Sequence, residues 1–541
     1  MTAIAIKQFG GISPKIPARY LQDTQAQAAI DCTVFNGSLQ PLQDVGSTAH
    51  TLTKTGTPAT IYRFGQDLVS DTQYWFHWTT DVDVCRGQIS GDTSEWTFFT
   101  DGVLPKATYA SLALTGGNQY PIAWRTLGLP APATAALVTV NGTAQVGASA
   151  DSRVYTYTLV NREAGFDFES APAPASSIVD VVAGQTATLS GFAAVPGGYV
   201  ATHRRIYRSV SGVFLFVTEI PVATSSFVDS LDAENLGEEL PSLTWTMPPA
   251  GLRGLTNLPN GIMAGFVGRD VYFCDPYHPH AWPEQYAQSL DFPVVGLGRM
   301  DTTLAVLTTG TPYLIQGSHP DSMTVVKSDL EQACASKRSI VSVNGAVLYA
   351  SPDGLVMLSS NGSKLVTENY FTRAQWQAYF KPDSIAGYAH DLKYVGFYNN
   401  GVTSGGFIYD LTTGQLVMHS IYATAGYNDL VNDKLFLAFA DRSVKVWQAG
   451  GARSYVWRSK KFTLPRQLSF ACAQLEAEAY PVTLKFYCDG GAFPAFTQTV
   501  TGRMPFRMPV LVARDWEVQI ETSAEVFSFA VAQAVEELKN V

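Results

Sequence analysis

Charge is scarce in this 541-residue sequence. Only 15% of residues are Asp, Glu, Lys or Arg, against about 25% in ordinary domains. A disordered chain needs high charge and few apolar residues, and here 46% are apolar. Cysteine is also rare. The six present (Cys32, Cys85, Cys274, Cys334, Cys472, Cys488) are far apart, with no C-x-x-C and no Cys/His zinc spacing. They are expected to be reduced thiols of a protein made in a cytoplasm. No run of 18 or more apolar residues is present, so no membrane helix is expected. The opening Met1 to Gly11 lacks the basic and apolar regions of a secretory signal. Basic excess is missing too: 36 Lys and Arg face 46 Asp and Glu, a net charge of −10. A protein that grips nucleic acid through phosphates carries the opposite balance.

What is abundant is strand and turn material. Aromatics make up 12% of the chain, with 45 Gly and 29 Pro spread along it. Most segments alternate in period two or form short apolar runs bounded by turn residues, which is the strand signature. Helix is expected only at Asp23 to Ile30, Thr372 to Phe380 and Val531 to Leu538.

From about Leu252 to Gly450 a unit recurs: strand, polar turn, strand, connection. Examples are Leu304–Leu307 with Tyr313–Ile315, Ala346–Tyr349 with Leu355–Leu358, and Leu435–Phe439 with Val444–Trp447. Consecutive copies start roughly 33 to 48 residues apart, a spacing that brackets the roughly 40–50-residue period of propeller blades. Thr60–Phe64, Tyr74–Trp78, Val82–Gly87 and Trp96–Phe99 read as one further blade. Between them, seven or so short strands over residues 131–248 describe a fibronectin type III-like β-sandwich. The expected class is all-β: a β-propeller (1–130 and 249–453), the inserted sandwich (131–248) and a separate C-terminal β-domain (454–541).

The search for chemistry yields little. Gly296-Leu-Gly298 begins like a dinucleotide loop but lacks the third glycine and is expected to be a turn between strands. His278 and His280 form the only His cluster, in a Pro-rich loop without a third ligand nearby. Asp270, Asp275, Asp301, Asp353, Asp410, Asp433 and Asp441 could supply a glycosidase carboxylate pair, but turns favour Asp for backbone reasons alone. Asn36, Asn141 and Asn361 sit in N-G-S/T sequons that read as Asn-Gly hairpin turns. Two basic clusters offer partner- or DNA-facing surfaces: His203 with Arg204, Arg205 and Arg208, and Arg453, Arg458, Lys460, Lys461 and Arg466. A solvated strand face or a subunit contact is the plainer reading. No catalytic, cofactor-binding or metal residue is assigned.

The opening Phe9-Gly-Gly-Ile-Ser-Pro14, the turn Phe35-Asn-Gly-Ser-Leu39-Gln-Pro41, and the run from Asn257-Leu-Pro-Asn-Gly261 through His280-Ala-Trp-Pro283 to Tyr349-Ala-Ser-Pro-Asp-Gly-Leu355 resemble the tail nozzle (tail tubular protein B-like) proteins of short-tailed bacteriophages. That resemblance implies a structural virion protein of the tail, found in the host cytoplasm before assembly. It implies a homohexamer beneath portal and tail adaptor, contacts with tail fibres or a needle or tip protein, and transient passage of double-stranded DNA. Six copies would carry roughly −60 in charge, and an acidic lumen repels phosphates. The competing expectations are a propeller glycosidase or depolymerase acting on surface polysaccharide, and a carbohydrate-binding adhesion module.

Overall fold

The computed structural model describes residues 3–65 and 74–538. Alternating sequence becomes strand almost throughout, and most strands belong to antiparallel sheets of two to four. Six of these sheets, with four strands of a ten-stranded sheet, form a ring, numbered here as blades. Blade 1 is Thr60–Phe64 with Tyr74–Trp78. Blade 2 holds Asp83–Arg86, Thr97–Thr100, Lys106–Thr108 and Arg125–Thr126. Blades 3 to 6 begin at Arg253–Asn257, Val294–Met300, Val341–Val343 and Ala386–His390. Blade 7 holds Ala425–Asp429, Lys434–Ala438 and Ser443–Val446, and takes its outer strand, Thr48–Thr51, from the N-terminal side of the chain.

The first strands of blades 2 to 7 pack side by side in that order, and blade 7 meets blade 1. Blade 1 closes on blade 2 through Thr60 Oγ1, which accepts from the Val82 amide, and through Trp78 packed on Phe99. Sharing strands from both ends of the chain in blade 7 leaves no free edge at the closure. The fold is all-β and propeller-like. The four segments expected to form one blade instead divide between blades 1 and 2, because Thr97–Thr100 pairs with Lys106–Thr108 rather than with Tyr74–Trp78.

Between blades 2 and 3 the chain makes a two-layer sandwich. One layer is Leu137–Gly142, Gln185–Ser190 and Ser226–Asp229; the other is Phe166–Glu169, Tyr155–Glu163, His203–Val210 and Val213–Pro221. Tyr155, Tyr157, Leu189 and Ile206 are buried between them.

The C-terminal strands are not a separate domain. Ile4–Ile6 pairs with Val526–Ala532, and Ala26–Ile30 pairs with Tyr455–Ser459. Ile30 also bridges to Met418 of blade 6, which makes one ten-stranded sheet across ring and C-terminal unit. The two share one hydrophobic core, from Trp376 and Phe407 to Trp457 and Phe529. The expected helix at Asp23 to Ile30 is therefore a strand from Ala26: ladder bonds to a partner distant in sequence outweigh the helical preference of alanine. The segment Val531 to Leu538 is likewise strand to Ala532, followed by the short helix Val535–Leu538. Arg373–Phe380 is helical as the pattern predicts, started by a Thr372/Gln375 capping box.

Candidate functional site

Gly296 and Gly298 lie inside the first strand of blade 4, not in a turn. A Cβ on either would strike blade 5, at 2.4 Å from Ile340 Cδ1 and 2.7 Å from Val347 Cγ1 respectively. These glycines allow neighbouring blades to approach closely, and no phosphate loop exists there.

The same approach builds a polar cluster at one mouth of the ring. Lys337 and Arg338 lie in the turn leading into blade 5, and Asp81 and Asp83 lead into blade 2. Blades 3 and 4 stand between those two, so Lys337 reaches across the bore. Its Nζ meets Asp81 Oδ2 at 2.9 Å and Asp83 Oδ1 at 2.6 Å. A Cβ on Gly296 would sit 3.1 Å from Lys337 Cγ, so the glycine clears the path of the side chain. Asp83 Oδ2 also accepts from the Gly254 amide of blade 3 at 2.6 Å. Arg338 donates to the Thr424 carbonyl before blade 7, and Tyr388 of blade 6 lies over Gly426. Burial pushes the Asp83 carboxyl above its ordinary range despite Lys337. Burial also opposes the Lys337 charge, but Asp83 and Asp81 outweigh it and hold its pKa above the usual value. The cluster bolts the bore with neutralised charge. It was not found in the sequence, where Asp81-Val82-Asp83 is a short alternation far from Lys337.

The basic clusters turn inward. Arg204 is buried and donates to the carbonyls of Ala193, Val222 and Thr224. Arg205 joins Asp167, Glu169 and Glu219. Arg208 is fully buried on Asp229 at 2.8 Å. Arg458 pairs with Glu517 at 2.6 Å and stacks on Tyr487. Lys460 pairs with Asp23, and Lys461 lies 3.5 Å from Glu517. Arg453 reaches Asp31 and Asp44. A DNA-facing role is contradicted for Arg204 and Arg208, which have almost no exposed surface. The other four of the assigned set spend their charge on carboxylates of their own chain. Arg466 stays exposed.

His280 joins ring to sandwich. Its Nε2 accepts from the Glu169 amide at 3.2 Å, with Phe166, Phe168 and Trp245 packed around it. Burial lowers its pKa to about 3. His278 pairs with Asp275 at 2.9 Å. Among the described residues no group of three His, Cys, Asp or Glu is placed to hold a metal ion. Four of the turn aspartates are occupied by their own chain: Asp410 accepts from the Thr412 and Thr413 amides, Asp441 from Ser443, Asp270 from Ser289, and Asp353 from Gln332 and Arg373. Asn36 makes its turn through Ser38, whereas at Asn361 the hairpin turns on Ser360-Asn361 with Gly362 following at φ +114°.

Two surface features lie on the ring and the C-terminal unit. A cleft of 450 Å³ opens between the helix Arg373–Phe380 and the strand Ala26–Ile30, lined by Phe371, Phe380, Tyr398, Met418 and Ile30. In the C-terminal unit, Phe493, Met504 and Val510 stand 85%, 80% and 86% exposed on loops. Asp489 accepts from the Arg514 and Asp515 amides. That ties the loop carrying Phe493 to the segment that follows Val510 and Val512.

All six cysteines are free thiols, five of them buried. No described helix is long and apolar enough to cross a membrane. No protein-family model matches the sequence, and no curated protein matches it. Solved structures similar to parts of it include a puromycin-hydrolysing peptidase of Mycobacterium tuberculosis, at 11% identity and TM-score 0.27 over 83% of this chain and 61% of that one. PorZ, a surface component of the type-IX secretion system of Porphyromonas gingivalis, gives 11% identity and TM-score 0.25 over 90% of this chain and 89% of that one. A glycoside hydrolase family 43 arabinoxylan arabinofuranohydrolase of Bacillus subtilis gives 11% identity and TM-score 0.16 over 65% and 93%.

Proposed function

We propose that the chain is a structural subunit that works by packing against copies of itself, in the manner of the tail nozzle proteins its sequence motifs resemble. The observation that carries this reading is the apolar end of the C-terminal unit. Phe493 and Val510 are almost wholly in water, a costly placement for a monomer and an ordinary one for a subunit interface. A closed ring of copies needs two different faces on each subunit. The exposed end supplies one, and the cleft beside Ala26–Ile30 offers apolar surface for the other. The bolt of Lys337, Asp81 and Asp83 favours a passage between copies rather than through one chain, because its ion pairs link blade 5 to blade 2 across the ring. Electron microscopy of the purified chain, alone and with a tail adaptor, tests the reading. Rings of sixfold symmetry are expected; a field of single particles under both conditions contradicts it.

The enzyme reading rests on one observation, the convergence of Asp81 and Asp83 on a single point. Both carboxylates touch the same ammonium, so their oxygens are separated by no more than roughly the 5–5.5 Å of a retaining glycosidase pair. Lys337 occupies the gap that a sugar would need. Polysaccharide release that stops on Asp83→Asn would favour this reading over the structural one.

A further inference from the structure

The ring-mouth cluster holds the parts of a condensation reaction. Lys337 Nζ lies 2.6 Å from Asp83 Oδ1, so an amine and a carboxyl group of one chain are kept in contact. A second carboxylate, Asp81, meets the same nitrogen at 2.9 Å. The other oxygen of Asp83, Oδ2, accepts from the Gly254 amide at 2.6 Å. Gly254 aims that N–H from a left-handed backbone, φ +70°, which glycine adopts without strain. An N–H fixed on a carboxyl oxygen stabilises the negative charge that gathers there when the carbon is attacked.

The reacting pair is largely shielded from water. The Asp83 and Lys337 side chains are 14% and 23% exposed, while Asp81, at 43%, stands on the solvent side. Burial raises the Asp83 pKa and so favours the uncharged acid, the form an amine can attack. Burial opposes the Lys337 charge, yet Asp83 and Asp81 hold its pKa up. Its protons must therefore be handed over during the reaction, and both carboxylates are in contact to take them. Gly296 leaves the lysine stem room to turn from Oδ1 towards the carboxyl carbon, since a Cβ there would sit 3.1 Å from Lys337 Cγ. Groups fixed in contact in this way react as though at very high concentration.

We propose that Lys337 and Asp83 join in an isopeptide bond that ties blade 5 covalently to blade 2. Starting from ammonium and carboxylate, Lys337 Nζ gives one proton to Asp83 Oδ1 and, as it attacks Cγ, a second to Asp81. Asp81 returns that proton to Oδ1, the Cγ–Oδ1 bond breaks and water leaves. The new amide keeps the third proton, and Asp81 ends as it began. No other reactant enters. The bond lies within one chain and is independent of the assembly reading above.

The test is the intact mass of the full chain, denatured after it has folded. Wild type should weigh about 18 Da, one water, less than its sequence requires, and digestion should give a branched peptide joining Lys337 to Asp83. Lys337→Arg keeps the positive charge without a nucleophilic amine, and should show the full mass. Asp81→Asn leaves amine and acid in place but removes the proton carrier, and should leave most chains at full mass; Asp81→Glu should restore the loss. A folded wild-type chain that stays at full mass after prolonged incubation overturns the proposal. So does a loss of water that survives Lys337→Arg, which would place the dehydration elsewhere in the chain.

Discussion

Three neighbouring arginines on one strand meet three fates. Arg205 sits among three carboxylates, Arg208 is sealed on Asp229, and Arg204 is held by backbone carbonyls. In sequence they form one basic cluster. Alternation turns Arg205 to the face opposite Arg204 and Arg208, and the carboxylates that Arg205 and Arg208 meet come from other strands. Removing one partner of a sealed pair leaves the other charge stranded, so Arg208→Met should cost about 3 kcal/mol or more in urea unfolding; a loss below about 1 kcal/mol would show the pair to be dispensable. The buried histidines make a second prediction at this scale. His280 is lowered to about 3, and His77 and His419 to about 4, in each case mainly by burial. Each is a base whose folded pKa lies below its unfolded value of 6.5. The unfolded chain therefore takes up protons first as acid is added. Stability from these groups is complete above pH 6.5 and declines as the pH falls from there towards about 4 and 3. His280→Gln, which can still accept from the Glu169 amide, should flatten that decline in melting temperatures measured from pH 7 to 4. An unchanged slope would exclude His280 as a contributor.

Elements were legible where their pattern is local. The blade strands announce themselves by short apolar runs and turns, and the helix Arg373–Phe380 by its Thr372/Gln375 box. Thr372→Ala should cost about 1 kcal/mol, read by chemical denaturation; no change would mean the cap carries no load in the folded chain. Elements set by distant partners were not legible. Ala26–Ile30 is alanine-rich and reads as helix, yet it is a strand because Tyr455–Ser459 lies beside it. Thr48–Thr51 is polar and mostly exposed, with no alternation to betray it, and it is recruited to close blade 7. The ring-mouth cluster was invisible for the same reason, since Asp83 and Lys337 meet only after blades 3 and 4 are in place. Chemistry-bearing residue types could be found by inspection; their convergence could not.

At the scale of the whole molecule, the N-terminal strands bind the C-terminal unit to the blade ring through one continuous sheet and one core. Such a body transmits load as a unit, which suits a wall segment. Many of its charges are spent on internal pairs, and the C-terminal unit carries Phe493, Met504 and Val510 uncovered on its loops. The account stands or falls on whether that end is covered by another copy. Analytical ultracentrifugation of the full chain, with and without the change Phe493→Ser combined with Val510→Ser, measures this directly. The account predicts a hexamer-sized species that falls to the 58.5 kDa monomer in the doubly substituted chain. A wild-type chain that sediments as that monomer at every concentration, with adaptor present or absent, would contradict it.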